Sequence, residues 1–174
     1  KSFGAQLARE SHVPVDVVVP VPDSGVPAAV GYSQFSGVPF ELGIIRNHYV
    51  GRTFIQPTQA IRESGVRMKH SANRAAIEGK RIILIFDESS KIADKVWEVA
   101  EGALTDEHTE ILWIVCGNGT RATGRFRECF RAFRHRWEGD NIDSRTVEGT
   151  NLELFKAWVE DYGEDSDFVK VRVR

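Results

Sequence analysis

Two adjacent carboxylates, Asp87 and Glu88, follow a run of five apolar residues at 82–86, and two serines come directly after them. An apolar run of that length suits a fully buried strand. Acids at the carboxyl end of such a strand sit where open α/β sheets gather phosphate and metal chemistry. There an Asp can enter a Mg²⁺ shell and a Glu can orient an attacking water. A second stretch with chemical reach is Pro22-Asp23-Ser24-Gly25. It lies between a valine-rich run and a helical pattern, so its backbone N–H groups can be aimed at an anion. The same pattern also fits an ordinary turn.

The elements that must position these groups can be read around them. Residues 15–21 read as a strand that ends or runs at an edge, since Pro20 and Pro22 donate no backbone hydrogen bond. Residues 25–35 read as a helix, capped by Ser24 or Asp23, with Pro27 in its first turn and Gly37 as its stop. Residues 40–46 read as a second strand. The stretch 47–65 has no clean period and, with Arg46, carries Arg52, Arg62 and Tyr49; Arg67, Lys69, His70 and Arg74 follow it. That basic stretch fits both a polyphosphate-binding lid and a solvated loop.

Further on, Ile92, Val96, Val99 and Ala103 form a helical stripe over 91–104, and 110–116 reads as another buried strand. Phe126, Phe130, Phe133 and Trp137 recur at helical spacing from Thr123. Arg127, Arg131 and Arg134 make a separate face of the same helix, suited to DNA phosphates or to solvent. Residues 142–147 read as a strand, 151–162 as a helix, and 168–174 alternate like a half-buried strand. Strands alternating with helices throughout imply a three-layer, doubly wound α/β fold with a largely parallel sheet, residues 82–86 at its centre.

Val-Pro-Asp-Ser-Gly (21–25), the stretch Gly-Val-Pro-Phe-Glu-Leu-Gly-Ile-Ile-Arg-Asn-His-Tyr-Val-Gly-Arg-Thr-Phe-Ile-Gln-Pro-Thr-Gln (37–59) and Gly-Val-Arg-Met-Lys-His-Ser-Ala-Asn-Arg (65–74) resemble glutamine amidophosphoribosyltransferase over about residues 3–85. That family displaces pyrophosphate from phosphoribosyl pyrophosphate (PRPP) with ammonia taken from glutamine, the first step of purine synthesis. The resemblance implies that Asp23, Ser24 and Gly25 form a pyrophosphate loop, with Ser24 near Mg²⁺. It also implies that the segment from Arg46 to Arg62, Arg52 included, closes over PRPP. The family carries two aspartates after its central strand, then Ser-Ile-Val-Arg-Gly-Thr-Thr, which holds the ribose 5-phosphate. Here Phe86 stands at the first of these, Asp87 matches the second, and Glu-Ser-Ser-Lys-Ile-Ala-Asp (88–94) replaces the loop. The glutaminase domain is absent from these residues.

The strand–Asp–Glu pattern is also the Walker B pattern of P-loop ATPases. The segments 86–106, 117–130 and 158–174 resemble the ATPase domain of phage terminase large subunits, which pack DNA. That resemblance implies Walker B roles for Asp87 and Glu88, with Glu88 catalytic, and nucleotide coupling for Asn118 and Thr120. No Gly-x-x-x-x-Gly-Lys-Ser/Thr occurs in the sequence.

Composition shifts near the same strand. Lys plus Arg against Asp plus Glu is 10 to 6 over residues 1–81 and 13 to 19 over 82–174; every Pro lies at or before Pro57 and every Trp at or after Trp97. The sequence therefore predicts a composite: a phosphoribosyltransferase-like segment, 1–81, joined at a shared strand to a P-loop-ATPase-like segment, 82–174. The expected function is residual Mg²⁺ and phosphate binding, with Ser24 and Asp87 at the metal, and no complete catalytic machinery. A PRPP-binding amidophosphoribosyltransferase-like domain and a terminase-like fragment are the alternatives. Two cysteines, Cys116 and Cys129, support neither a disulfide framework nor a four-ligand zinc site and read as buried thiols. No signal peptide or apolar run of membrane length is visible, so a cytoplasmic setting is expected.

Overall fold

A computed structural model describes residues 1–46, 70–102 and 107–174. The expected strand over residues 15–21 is β1, Val17–Pro20, and the apolar run before the acids is β4, Arg81–Phe86. Together with β5, Glu110–Val115, they form a parallel sheet in the order β1-β4-β5, with Val18 beside Ile83 and Leu84 beside Trp113. β4 is central, and its residues from Ile82 to Phe86 are buried. Such continuous apolar runs are what a strand covered on both faces requires.

The two faces are covered differently. Alternation sends Val18, Ile83 and Ile85 to one side, against Ala8 of α1 (Ser2–Glu10) and Ala28, Ala29 and Tyr32 of α2 (Gly25–Ser36). α1 has no counterpart in the sequence reading. It is held by close backbone approach: a Cβ on Gly4 would lie 1.8 Å from the carbonyl oxygen of Ala28. On the other side Phe86 stacks on Trp97 of α4 (Asp94–Gly102) at 4.4 Å and on Trp113 at 5.1 Å. Val96, Trp97 and Ala100 are the buried residues of α4, of which the stripe expected at 92, 96, 99 and 103 included only Val96; Ala103 lies outside the described residues. Trp97 is the side chain with most apolar area to bury.

A second sheet pairs β2, Ile44–Arg46, antiparallel with β3, His70–Ala72, and α3, Arg74–Ile77, follows. Of the long strand expected at 40–46, the amino end makes only a single bridge, Phe40 to Val18. Val19 and Ile77 close on Gly43, where a Cβ would lie 2.5 Å from the Ile77 side chain. The basic stretch with Tyr49, Arg52, Arg62, Arg67 and Lys69 lies outside the described residues.

The chain divides into two compact units, Lys1–Gly117 and Asn118–Arg174. In the second the described residues hold helices and turns, which corrects three expectations. The aromatic helix from Thr123 is only α5, Arg125–Cys129, followed by a 3₁₀ turn at Arg134–Arg136. The guanidiniums of Arg125 and Arg136 lie 5.2 and 5.6 Å from the ring centre of Phe133. In a continuous helix those residues would stand about 16 Å apart along the axis, so the chain must fold back to let both reach one ring. The strand expected at 142–147 is a 3₁₀ turn, Ser144–Thr146, in which the Asp143 carboxylate accepts from the Arg145 amide. The strand expected at 168–174 is α7, Asp167–Arg172: Ser166 caps the Val169 amide, and Val169 and Val173 bury at helical spacing. The expected helix at 151–162 is α6, Leu152–Tyr162, capped by Asn151. Among the described residues, no helix is long and apolar enough to cross a membrane.

Candidate functional site

The site is built where β1 hands the chain to α2. The Val21 amide donates to the Ile85 carbonyl at 2.9 Å, so the loop leaves the sheet beside β4. The peptide bond between Pro22 and Asp23 is cis. Gly25 is required by close approach, since a Cβ there would lie 2.5 Å from the Ile85 oxygen. The Ser24 hydroxyl donates to the Asp87 carbonyl at 2.7 Å, which ties the loop to the acidic end of β4. Ser24 stands at the amino end of α2 as expected, but with its hydroxyl thus spent it makes no side-chain cap. The Gly25 and Val26 amides donate to the Val21 and Asp23 carbonyls at 3.1 and 3.3 Å. Those of Asp23 and Ser24 donate to no carbonyl among the described residues. The exposed Asp23 carboxylate pairs with Arg46 of β2.

The end of β4 is tightly organised. Phe86 points into the aromatic stack, so the position before Asp87 offers no group to a ligand. Asp87 is half-buried, and its Oδ1 accepts from the Glu88 amide at 2.8 Å. Glu88 has φ of 52°, left-handed for a residue with a Cβ, and its exposed carboxylate pairs with Lys91 at 3.0 Å. Ser89 is buried; its hydroxyl and its amide both donate to the Cys116 carbonyl, at 2.8 and 2.9 Å. Gly117 packs so closely that a Cβ would lie 2.8 Å from the Ser89 nitrogen. Burial first, then the negative charge of Asp87 and Glu10, push the half-buried Cys116 thiol up to about 11.

Of the residues singled out in the sequence, Asp23, Ser24, Gly25, Arg46, Asp87 and Glu88 thus come together around the carboxyl end of β1 and β4. The clamp from Ser89 to Cys116 was missed, although the Ser-Ser pair after the acids was its signal. Asn118 and Thr120, expected to couple nucleotide state, are exposed residues of the second unit, joined by a Thr120 amide to Asn118 carbonyl bond of 2.8 Å. The shared arginine face does not form. Arg127 is on α5 and pairs with Glu128, Arg131 lies in the turn beyond, and Arg134 begins the 3₁₀ turn and donates to the Trp137 carbonyl. Among the described residues no three His, Cys, Asp or Glu side chains gather to hold a metal. Mg²⁺, however, usually binds through one or two carboxylates and substrate phosphates. Asp87, with the Ser24 oxygen at its carbonyl, fits that kind of shared shell.

Comparison with known proteins follows the same geometry. No family model matches the chain. Over 87 residues it is 70% identical to the amidophosphoribosyltransferase of Rhizobium etli, covering 50% of this chain and 18% of that protein. It is 49% identical over 114 residues to the Bacillus subtilis enzyme, covering 64% and 24%, and 59% identical over 85 residues to an Arabidopsis thaliana chloroplastic one, covering 49% and 15%. The solved Bacillus subtilis PRPP amidotransferase, complexed with ADP and GMP, matches at 46% identity over 64% of this chain and 24% of its own, with a TM-score of 0.49. The chain thus shares homology with amidophosphoribosyltransferases over about half to two thirds of its length, and spans a quarter or less of these relatives.

These matches overturn the composite reading. A continuous match covering 64% of the chain must include residue 82 wherever it begins, so the homology runs through β4 and its acids. The relatives lend no support to a terminase-like ATPase in the second segment, or to DNA as its partner.

Proposed function

We propose that residues 1–117 are a PRPP-binding unit of the amidophosphoribosyltransferase kind, serving purine biosynthesis. One observation carries this reading: the Ser24 hydroxyl ties the Pro22–Gly25 loop to the Asp87 carbonyl, in a loop whose Asp23 and Ser24 amides donate to no carbonyl among the described residues. The homology in the same stretch supports it.

Each group has a definite task. The amides of Asp23 and Ser24, at the positive end of the twelve-residue helix α2, take oxygens of the pyrophosphate. Arg46 adds a guanidinium on the Asp23 side. The Asp87 carboxylate accepts from sugar hydroxyls or joins the shell of a Mg²⁺ that is shared with the pyrophosphate. When bound, Mg²⁺ supplies neutralising charge to the leaving pyrophosphate. Arg52, which lies outside the described residues, belongs to the same proposal.

Calorimetric titration of PRPP and of ATP, each with Mg²⁺, tests the reading. The expected result is PRPP binding at least about tenfold tighter than ATP, a difference of ~1.4 kcal/mol. A chain that melts cooperatively yet binds no PRPP would sink it.

A further inference from the structure

The turn that carries Asp87 is held by the end of the neighbouring strand. The Cys116 amide donates to the Phe86 carbonyl at 3.0 Å, on one side of Asp87. On the other side the Cys116 carbonyl accepts twice from Ser89, from its amide at 2.9 Å and from its hydroxyl at 2.8 Å. The backbone of a single residue thus brackets Asp87 and Glu88. Between the two anchors Glu88 is left-handed, with φ of 52°, a conformation disfavoured for a residue with a Cβ. In that conformation its amide donates back to Asp87 Oδ1 at 2.8 Å. The Asp87 carboxylate is engaged through that oxygen, and Oδ2 accepts from no group among the described residues. The bracket has no room to slide: Ser89 is 1% exposed, and a Cβ on Gly117 would lie 2.8 Å from its nitrogen.

We infer that Ser89 is a positioning residue: through Cys116 it holds Glu88 left-handed, and so presents Asp87 to the ligand with one oxygen engaged and the other open. This rests on the PRPP-binding reading and deepens it, since Ser89 sets the direction of the site's acid without touching the ligand. Groups that stand behind a ligating side chain in this way are worth roughly 10- to 100-fold in affinity at metal sites.

The test separates holding the fold from holding the acid. Mg²⁺–PRPP is titrated by calorimetry into the full chain and into Ser89→Ala, well below their melting temperatures. Ser166→Ala serves as the control, because it removes the cap of α7 in the second unit. Ser89→Ala is expected to bind about tenfold more weakly while Ser166→Ala binds like the wild type. Where Ser89→Ala does not melt cooperatively, Gly117→Ala takes its place, since its Cβ pushes on the Ser89 amide and leaves the hydroxyl in place. An affinity within about threefold of wild type, or an equal loss in the control, overturns the inference and leaves the PRPP site standing. A wild-type chain that melts cooperatively yet binds no PRPP removes both.

Discussion

Ser24 is the residue on which the site turns, because its hydroxyl holds the Asp87 carbonyl instead of capping α2. Ser24→Ala leaves that half-buried carbonyl without its partner. A net hydrogen bond of this kind is worth about 1 kcal/mol, so the variant should melt a few degrees lower and bind PRPP more weakly. Scanning calorimetry and titration of the same sample check both; an unchanged affinity would mean the loop is held by other contacts. Cys116 gives a pH signature with a fixed sign. Its thiol titrates near 11 in the folded chain against an ordinary value of 9.0, so the unfolded chain loses the proton first. The associated stability is complete below pH 9 and drains away as pH rises from 9 to 11, by no more than about 2–3 kcal/mol. Denaturant melts of the wild-type chain and Cys116→Ala should diverge over that window; parallel curves would show that the thiol is freely solvated.

At the scale of elements, the sequence was legible where one pattern had no rival. The run at 82–86 read as a buried strand and 151–162 as a helix; both stand as β4 and α6. At 168–174 two patterns compete, since Val169, Val171 and Val173 alternate like a strand while Val169 and Val173 also sit one helical turn apart. Ser166 decides in favour of the helix by capping the Val169 amide, a signal outside the alternating run. The aromatic residues at 126–137 failed for a different reason: periodicity records spacing and cannot see Arg125 and Arg136 converging on Phe133. Of the site, the loop and the acids were legible as motifs. The bond from Ser24 to Asp87 spans 63 residues and had no local signal. If Ser166 does select the helix, Ser166→Ala should cost about 1 kcal/mol and reduce far-ultraviolet helical signal first in α7. A variant with unchanged stability and dichroism would return the choice to the valines alone.

Over the whole molecule, the shift in composition near residue 82 looked like a boundary, yet the strand there is interior to a sheet. Trp97 and Trp113, counted with the later segment, supply the rings that bury Phe86, and β1 and β5 pair with opposite edges of the same strand. What is separable is the stretch after Gly117, a compact unit of short helices and turns. Ligand linkage distinguishes the two units. At a hundred times its dissociation constant, Mg²⁺–PRPP should stabilise the part that binds it by about 2.7 kcal/mol and no other part. In hydrogen exchange read by mass spectrometry, peptides spanning β1, the start of α2 and β4 should then slow by up to about a hundredfold, while peptides from α6 and α7 keep their rates. Equal slowing in α6 and α7 would mean that the chain unfolds as one cooperative body. No slowing around β1 and β4 would mean that the ligand does not engage the loop that Ser24 ties to Asp87.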